Sequence, residues 1–409
     1  MRWFIFILLY IAIDIYSFQA FRTITKVQWL HYVYLALSLI VLANLIYHIA
    51  NTDPYKGFDR LTMYALGFFL VLFVPKLLTV VFMLMEDLIR LLVGLYDRYI
   101  AHENRFVLPS RRKFISGLAL GLAAVPFLSL LYGMYKGKYR FRVLNYELFF
   151  EDLPDAFDGY KITQISDVHS GSFDNREKIA YAVDLINQQN GDVILFTGDL
   201  VNNTATEMND WKSLFSTLQA KDGVFSILGN HDYGDYVTWK SGQAKRQNLE
   251  DLKNLQRDMG WDLLLNEHRL LERDGQKIAL VGVENWGAGG FKKAGDVDVA
   301  SAGLKSTDFK ILMSHDPSYW AEKIKMHPKN FQLTLSGHTH GMQFGIEIPG
   351  LIKWSPVQYR YKYWAGIYEQ NKRMINVNRG FGFLGYPGRV GIWPEITTII
   401  LKRGNMSTI

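Results

Sequence analysis

Cysteine is absent from all 409 residues of the sequence. Disulfide bonds and thiolate metal sites are therefore excluded, and the redox compartment stays open. Basic runs interleaved with aromatic residues are also scarce, although the net charge is +6. The two basic stretches, SRRKF at 110–114 and KGKYRFR at 136–142, flank an apolar stretch, where cations mark membrane topology. We therefore expect no nucleic-acid partner.

The composition changes near residue 140, and a chain of this length has room for two domains. Before the change, four apolar stretches are each long enough to cross a hydrocarbon core of about 30 Å at 1.5 Å per residue. We predict an all-α bundle of about four transmembrane helices over 1–138, followed by a mixed, charged domain over 139–409. The helices are expected near 3–21, 29–50, 61–84 and 114–135.

Three ionisable residues, Asp14, His48 and Lys76, lie within or at the ends of these helices. Intramembrane ionisable groups are functional candidates, and a transport role would rest on Asp14 and Lys76. The simpler interpretation is that Asp14 and Lys76 pair inside the bundle and that His48 lies near an interface.

The segment between the third and fourth helices carries six Lys or Arg residues, Arg105 among them. The positive-inside tendency places this segment in the cytoplasm and the C-terminal domain on the other side, although the cations at 136–142 oppose this assignment. The stretch SRRKFIS at 110–116 also resembles a twin-arginine export signal, but such signals are normally N-terminal. Both interpretations predict an integral membrane protein whose C-terminal domain is extracytoplasmic.

The domain after residue 140 repeats one pattern, a short β-rich run that ends in polar residues. Segments of helical character, such as 175–190, lie between several of these runs. Alternating strands and helices indicate an α/β fold, in which functional groups gather where strands end. The six runs cover 161–171, 192–202, 223–233, 277–285, 309–317 and 331–341.

Five of the six runs end in side chains that bind hard or borderline metal ions. We therefore predict one shared metal centre, and its logic is two-metal hydrolysis: two cations share a bridging carboxylate, acidify a water and neutralise a phosphoryl group. Without cysteine the ligands are all nitrogen and oxygen, which suits two divalent ions of Mn, Fe, Zn, Co or Mg. The residues at these ends are Asp167, His169, Asp199, Asn230, His231, His315, His338 and His340.

The motifs DVH (167–169), GDLVN (198–202), GNHD (229–232), SHDP (314–317) and GHTHG (337–341) together resemble the calcineurin-like metallophosphoesterases. The apolar helices and the C-terminal segment make the chain similar to a membrane-anchored branch, with relatives among twin-arginine-exported phosphoesterases and UDP-2,3-diacylglucosamine hydrolase-like proteins. The resemblance implies a two-sheet β sandwich flanked by helices. It also implies two metal positions bridged by Asp199, one held by Asp167, His169 and His340 and the other by Asn230, His315 and His338.

The same resemblance implies that His231 is not a ligand but protonates the leaving oxygen as a general acid. Many members carry GDxxD, whose last Asp orients this histidine, whereas here the position is Asn202. Asn202 can accept a hydrogen bond but cannot stabilise an imidazolium by charge, and Asp232 is a possible substitute. Arg389 either contacts a substrate phosphate or is an exposed loop arginine.

These expectations describe a membrane-tethered hydrolase in which a metal-activated hydroxide attacks phosphorus. The bilayer is one expected partner and a phosphorylated small molecule or lipid is the other, such as a phospholipid or a nucleotide-linked lipid. One alternative is hydrolysis of the pyrophosphate of UDP-2,3-diacylglucosamine, which is cytoplasmic chemistry and conflicts with the preferred topology. A second alternative is a non-catalytic scaffold, but scaffold members typically lose motif residues and this chain keeps them.

Overall fold

Four long apolar helices form the first of two units into which the chain divides. In this computed structural model the described residues are 2–101, 109–348 and 350–405, so that Arg105 of the predicted cytoplasmic segment lies outside them. All four predicted membrane helices are confirmed by length and composition. Their bounds are α1 (Arg2–Ile24), α2 (Gln28–Ala50), α3 (Arg60–Tyr96), which continues as a π-helical turn over Asp97–Ala101, and α4 (Pro109–Tyr135).

A buried ion pair joins α1 to α3 within this first unit. Lys76 Nζ lies 2.6 Å from Asp14 Oδ1 and also donates to Ser38 Oγ of α2 at 2.6 Å. The Tyr10 hydroxyl lies 2.8 Å from the same Ser38 oxygen. Because lipid offers no water to solvate a charge, both ionised groups find their partners inside the bundle. The pairing interpretation of Asp14 and Lys76 therefore agrees with the structure.

The second unit comprises residues 136–409 together with 52–60, the segment between α2 and α3. Residues 52–60 belong to this unit by their contacts, and Thr238 N donates to Pro54 O at 2.8 Å. The helices of this unit are α5 (Arg176–Asn187), α6 (Lys212–Phe215), α7 (Gly242–Asp258), α8 (Val297–Ala300) and α9 (Pro317–Glu322).

Fourteen strands are present among the described residues, twelve of them in two six-stranded sheets. They are β1 (Arg142–Phe150), β2 (Lys161–Ile165), β3 (Val193–Phe196), β4 (Val224–Ser226), β5 (Asp262–Leu263), β6 (Glu267–Arg273), β7 (Gln276–Gly282), β8 (Lys310–Met313), β9 (Leu333–Ser336), β10 (Ile346–Ile348), β11 (Ile352–Trp354), β12 (Gly366–Gln370), β13 (Arg373–Val377) and β14 (Glu395–Arg403).

The two large sheets stack face to face, which confirms the expected sandwich. Their strand orders are β1-β14-β2-β3-β4-β5 and β12-β13-β9-β8-β7-β6. Ile162 and Leu195 of the first sheet belong to one buried cluster with Leu280 and Leu335 of the second. Helices α5 and α7 cover the outer face of the first sheet. Covered on both faces, β3 reads as the uninterrupted apolar run VILF, all of it buried.

Parallel pairing determines where the polar strand ends meet. Strands β2, β3 and β4 pair in parallel in the first sheet, and β7, β8 and β9 do so in the second. The carboxyl ends of parallel neighbours lie at one edge of their sheet. Each of the six predicted runs contains one of these strands, so their polar endings lie together at one end of the sandwich.

Candidate metal centre

The first group of metal-ligating atoms comes from the loops after β2 and β9. Asp167, His169 and His340 are buried, and one ligating atom from each lies within 4.8 Å of the others. His169 Nε2 is 3.0 Å from His340 Nε2, which is 3.2 Å from Asp167 Oδ1. Neighbouring ligands of a divalent cation, each about 2.1 Å from it, would lie roughly 3.0–3.4 Å apart. The spacing therefore fits one divalent ion.

The second group comes from the ends of β3, β8 and β9, where Asp199, His315 and His338 converge. His315 Nε2 lies 3.1 Å from Asp199 Oδ2, and the other ring nitrogen donates to Thr197 O at 2.7 Å. That backbone contact fixes the ring so that Nε2 faces Asp199 and is the nitrogen available to a metal ion. Asn230 Oδ1 lies 2.8 Å from His338 Nδ1 and adds an oxygen to the group.

Asp199 is placed between the two groups. Its Oδ2 is 3.1 Å from His315 Nε2 and 3.6 Å from His169 Nε2, so one carboxylate oxygen faces a histidine of each set. A carboxylate in this position can bridge two cations. All seven predicted ligands are thus brought together, and the donor set of nitrogen and oxygen fits two divalent ions of the predicted kinds.

The electrostatics of this cluster favour cations. Burial would raise the pKa of Asp167, but His340 and His315 hold it well below the usual carboxyl range. Burial, followed by the charge of His340, lowers the pKa of His169, and burial also lowers that of His338. Burial would lower the pKa of His315, but the Asp199 carboxylate raises it to about 10, so a cation bound there would displace a proton. Anionic carboxylates beside neutral imidazoles are the form in which these groups ligate metals.

The backbone at the ligands is strained. Asp167, His169, Asp199, His338 and His340 all have φ between +48° and +73°, in the left-handed region that residues other than glycine rarely adopt. Each such residue costs on the order of 1 kcal/mol and persists only when the surrounding structure enforces it. Five of the seven ligands sharing this conformation is a mark of a functional site.

Two glycines of the motifs are required by close approach. A Cβ at Gly337 would lie 2.2 Å from Asp167 Oδ2, and one at Gly229 would lie 2.2 Å from Asp199 Oδ1. The sequence analysis could not show these contacts, because each joins a glycine to a ligand on another strand end. Any side chain at either position would displace a candidate metal ligand.

His231 lies beside the metal groups without belonging to either. Its backbone N–H donates to Asp199 Oδ1 at 2.8 Å, and its ring lies 4.9 Å from that of His169. Its Nδ1 lies 2.8 Å from the backbone oxygen of Asn202. Because a backbone oxygen can only accept, Nδ1 carries a proton in this contact and Nε2 is left for another partner.

Neither the Asn202 side chain nor the Asp232 carboxylate is hydrogen-bonded to the His231 ring, which both were candidates to orient. The Asn202 side chain contacts Ser172, so residue 202 supports His231 through its main chain and not through its amide. The Asp232 carboxylate accepts hydrogen bonds of 2.8–2.9 Å from the backbone N–H groups of Gly229, Asp199 and Leu200. Burial, followed by the charge of Asp199, raises the pKa of Asp232 to about 7. Asp232 therefore holds the Asp199 loop against the Gly229 loop.

Arg389 is fully buried, so the exposed-loop alternative is wrong. Its guanidinium donates to the backbone oxygens of Arg379 and Gly382 at 2.8 Å, and its Nη2 lies 3.2 Å from His340 Nδ1. Burial lowers the pKa of Arg389 to about 9. Its contacts tie the loop after β13 to a metal ligand.

Two tyrosines that the sequence analysis did not single out complete the site. Tyr361 Oη lies 2.8 Å from His338 Nε2 and 3.4 Å from Asp316 Oδ2, an arrangement that can orient the ligand ring. Tyr236 Oη accepts from Asn230 Nδ2 at 2.8 Å, and its ring lies 4.4 Å from that of His231. Neither tyrosine belongs to a motif or to a strand end, and no signal in the sequence marks them.

Comparison with known proteins covers both units. Residues 1–138 match the family model of the probable calcineurin-like phosphoesterase transmembrane domain, and residues 160–342 match that of the calcineurin-like phosphoesterases. The metallophosphoesterase YkuE of Bacillus subtilis is 32% identical over 72% of this chain and 99% of its own length. The phosphodiesterase YaeI of Escherichia coli is 28% identical over 71% of this chain and 99% of its own. A transmembrane protein with a metallophosphoesterase domain from Danio rerio is 28% identical, and the match spans 67% of this chain and 60% of that protein.

Proposed function

The chain belongs to the calcineurin-like metallophosphoesterase family, and we propose that it hydrolyses a phosphoester with His231 as the general acid. The observation that carries this assignment is the position of His231, whose main chain contacts Asp199 and whose Nδ1 is held by Asn202. Since Nδ1 is occupied and the ring lies 4.9 Å from that of His169, Nε2 is the ring nitrogen available to a substrate at the two metal groups. With both ring nitrogens protonated, a histidine in this position can give its Nε2 proton to the leaving oxygen and keep the Nδ1 proton on Asn202 O.

The chain's own residues divide the remaining work. Asp167, His169 and His340 would hold one divalent cation, and Asn230, His315 and His338 the other, with Asp199 shared. When bound, the two cations supply neutralising charge for the phosphoryl oxygens and an acidified water as nucleophile.

Three contacts keep this machinery in place. Asp232 fixes the loops that present Asp199 and His231, and Tyr361 orients His338. Arg389 contacts His340 at Nδ1, the ring nitrogen opposite the candidate ligating Nε2.

The substrate that we propose is an amphiphilic phosphoester, a phospholipid or a nucleotide-linked lipid. The protein is embedded in the membrane by four helices, which raises the concentration of its site at the bilayer. We place the site on the extracytoplasmic side because the segment between α3 and α4 is rich in cations. A reporter fused after Ile409 tests the side: activity of a cytoplasmic reporter would move the assignment to cytoplasmic lipid precursors such as UDP-2,3-diacylglucosamine.

The leaving group provides the test of His231. We expect His231→Gln to lower turnover of an alkyl phosphoester by about 100-fold or more, the usual contribution of a general acid. The loss on a 4-nitrophenyl ester should be much smaller, because its leaving group departs as a stable anion without a proton. His327→Gln is the matched control, since His327 pairs with the exposed Asp298 and contacts no predicted ligand.

Two results would contradict the proposal at different points. Equal losses on the alkyl and nitrophenyl esters, with metal content unchanged, would remove His231 from proton transfer. No turnover of either ester by the unmodified chain with any of the five metals would remove the hydrolase assignment and favour the scaffold alternative.

A further inference from the structure

The small hairpin formed by β10 and β11 has its polar face inward and its apolar face outward. The register pairs Ile348 with Ile352 on one face and Glu347 with Lys353 on the other. Glu347 Oε1 lies 2.5 Å from Arg379 Nη2, and Lys353 Nζ donates to the backbone oxygen of Ala365. A strand at a water surface normally shows the opposite alternation.

The outward face is strongly exposed. Ile346, Ile348 and Ile352 are 48%, 49% and 41% exposed, and Leu351 in the turn is 80% exposed. Contiguous apolar surface of this kind marks an interaction site or a membrane contact. Glu347 and Lys353 make their contacts on the inner side of the hairpin, so the outer face presents only apolar side chains.

A groove with a volume of about 470 Å³ lies beside the hairpin and is bounded on the other side by β1. Arg142 of β1 and Trp393 line it, and the Arg142 guanidinium lies 5.8 Å from the Trp393 ring. Arg140 lies 4.9 Å from the same ring. Among the described residues neither arginine has a carboxylate oxygen within 4.0 Å, so the rim carries two cations without an ion-pair partner. Arg379 in the groove is, in contrast, neutralised by Glu347 and Glu395.

Few residues separate Arg142 from the fourth membrane helix along the chain. Helix α4, the fourth membrane helix, ends at Tyr135, and Arg142 follows seven positions later. At no more than about 3.4 Å per residue, the intervening chain spans at most roughly 24 Å. Cations and a tryptophan at such a distance are the usual composition of a membrane interface.

We infer that the hairpin and its groove bind an anionic phospholipid of the surrounding membrane. Its acyl chain lies along Ile348, Leu351 and Ile352, and its phosphate contacts Arg142 at the rim. Removing the apolar side chains from water and bringing a cation to an anionic phosphate both favour this binding. The inference rests on the membrane helices and on this surface, so it holds whatever reaction the metal centre performs.

The hairpin lies between two residues of the candidate metal centre in the sequence. Ile346 follows the ligand His340 by six positions, and Trp354 precedes Tyr361 by seven. A lipid on the hairpin therefore contacts a segment that is anchored to the centre at both ends.

Photocrosslinking of the full chain in vesicles tests this inference. Leu351→p-benzoylphenylalanine, reconstituted in phosphatidylglycerol vesicles and irradiated, should give a protein–lipid adduct detectable by mass spectrometry. The matched control is Val299→p-benzoylphenylalanine, because Val299 is 58% exposed on α8 and does not line the groove. We expect at least tenfold more adduct at 351 than at 299, and several-fold less when Arg142→Gln is added or phosphatidylcholine replaces phosphatidylglycerol.

Equal labelling at 351 and 299, or none at 351, would overturn the lipid site. Equal labelling at 351 in the two kinds of vesicle would overturn the assignment of an anionic head group. Neither measurement requires turnover, so a chain that hydrolysed nothing would still give the expected adduct if the inference is right.

Discussion

Replacing Gly229 with alanine is the smallest change that we expect to disable the metal centre. A Cβ at Gly229 would lie 2.2 Å from Asp199 Oδ1 and 2.6 Å from Asp199 N. Ordinary carbon–oxygen contacts are about 3.3 Å, so the carboxylate must retreat by roughly 1 Å. Its freedom to do so is small, because the Asp199 N–H is held by Asp232 and its φ is already +62°.

The expected loss of turnover follows from the displacement of the Asp199 carboxylate. A displacement of about 1 Å in a catalytic arrangement can lower turnover about 100-fold, and overpacking of this kind costs about 1–3 kcal/mol of stability. Asp199 faces a histidine of each metal group, so both positions would lose a ligand of correct geometry. We expect Gly229→Ala to fold, to hold fewer than two metal ions per chain, and to keep about 1% of turnover or less.

Three measurements on the purified full chain check this prediction: metal content by mass spectrometry, turnover of bis-4-nitrophenyl phosphate, and thermal unfolding. Gly242→Ala is the control, since the nearest atom to its added Cβ is Arg246 Nη1 at 3.6 Å at the start of α7. The reasoning would be refuted if Gly229→Ala kept two metal ions and turnover within threefold of the unmodified chain.

Two further predictions concern residues outside the motifs. Tyr361→Phe should weaken metal affinity about 10-fold in chelator competition, because the contact that orients His338 is lost; unchanged affinity would show that the hydroxyl is dispensable. Lys76→Met and Asp14→Asn should each lower the unfolding free energy in detergent by about 3–5 kcal/mol, whereas the double variant should be more stable than either. A double variant whose loss equals the sum of the single losses would mean that the two residues do not act as a pair.

Much of the fold follows from short-range patterns. The four apolar stretches are long and uninterrupted, so their helices were predictable, although α3 extends beyond the predicted 61–84 to Tyr96. The six β-rich runs each contain a strand because buried strands favour apolar, β-branched residues. The ligands follow the carboxyl ends of those strands, and parallel pairing brings those ends together.

The rest of the site depends on contacts between distant segments. Residues 52–60 pack on the second unit, and nothing in their composition indicates this. Arg389 lies in a Gly-rich stretch typical of an exposed loop, yet it is buried: its guanidinium donates to two backbone oxygens of its own loop and lies 3.2 Å from His340 Nδ1 on a distant segment. The positive φ values of five candidate ligands are a property of the folded loops, which residue types do not reveal.

The departure from the family motif at Asn202 has a different meaning once the contacts are known. In the sequence, an amide in place of a carboxylate raises doubt about how His231 is oriented. In the structure, the partner of His231 Nδ1 is the backbone oxygen of residue 202, which any side chain would supply. The loop that carries this oxygen is held by Glu207, whose carboxylate accepts hydrogen bonds from the backbone N–H groups of residues 202, 203 and 204. The capacity of His231 for proton transfer therefore depends on the shape of the 202–204 loop, and the loss of the carboxylate leaves the proposed chemistry intact.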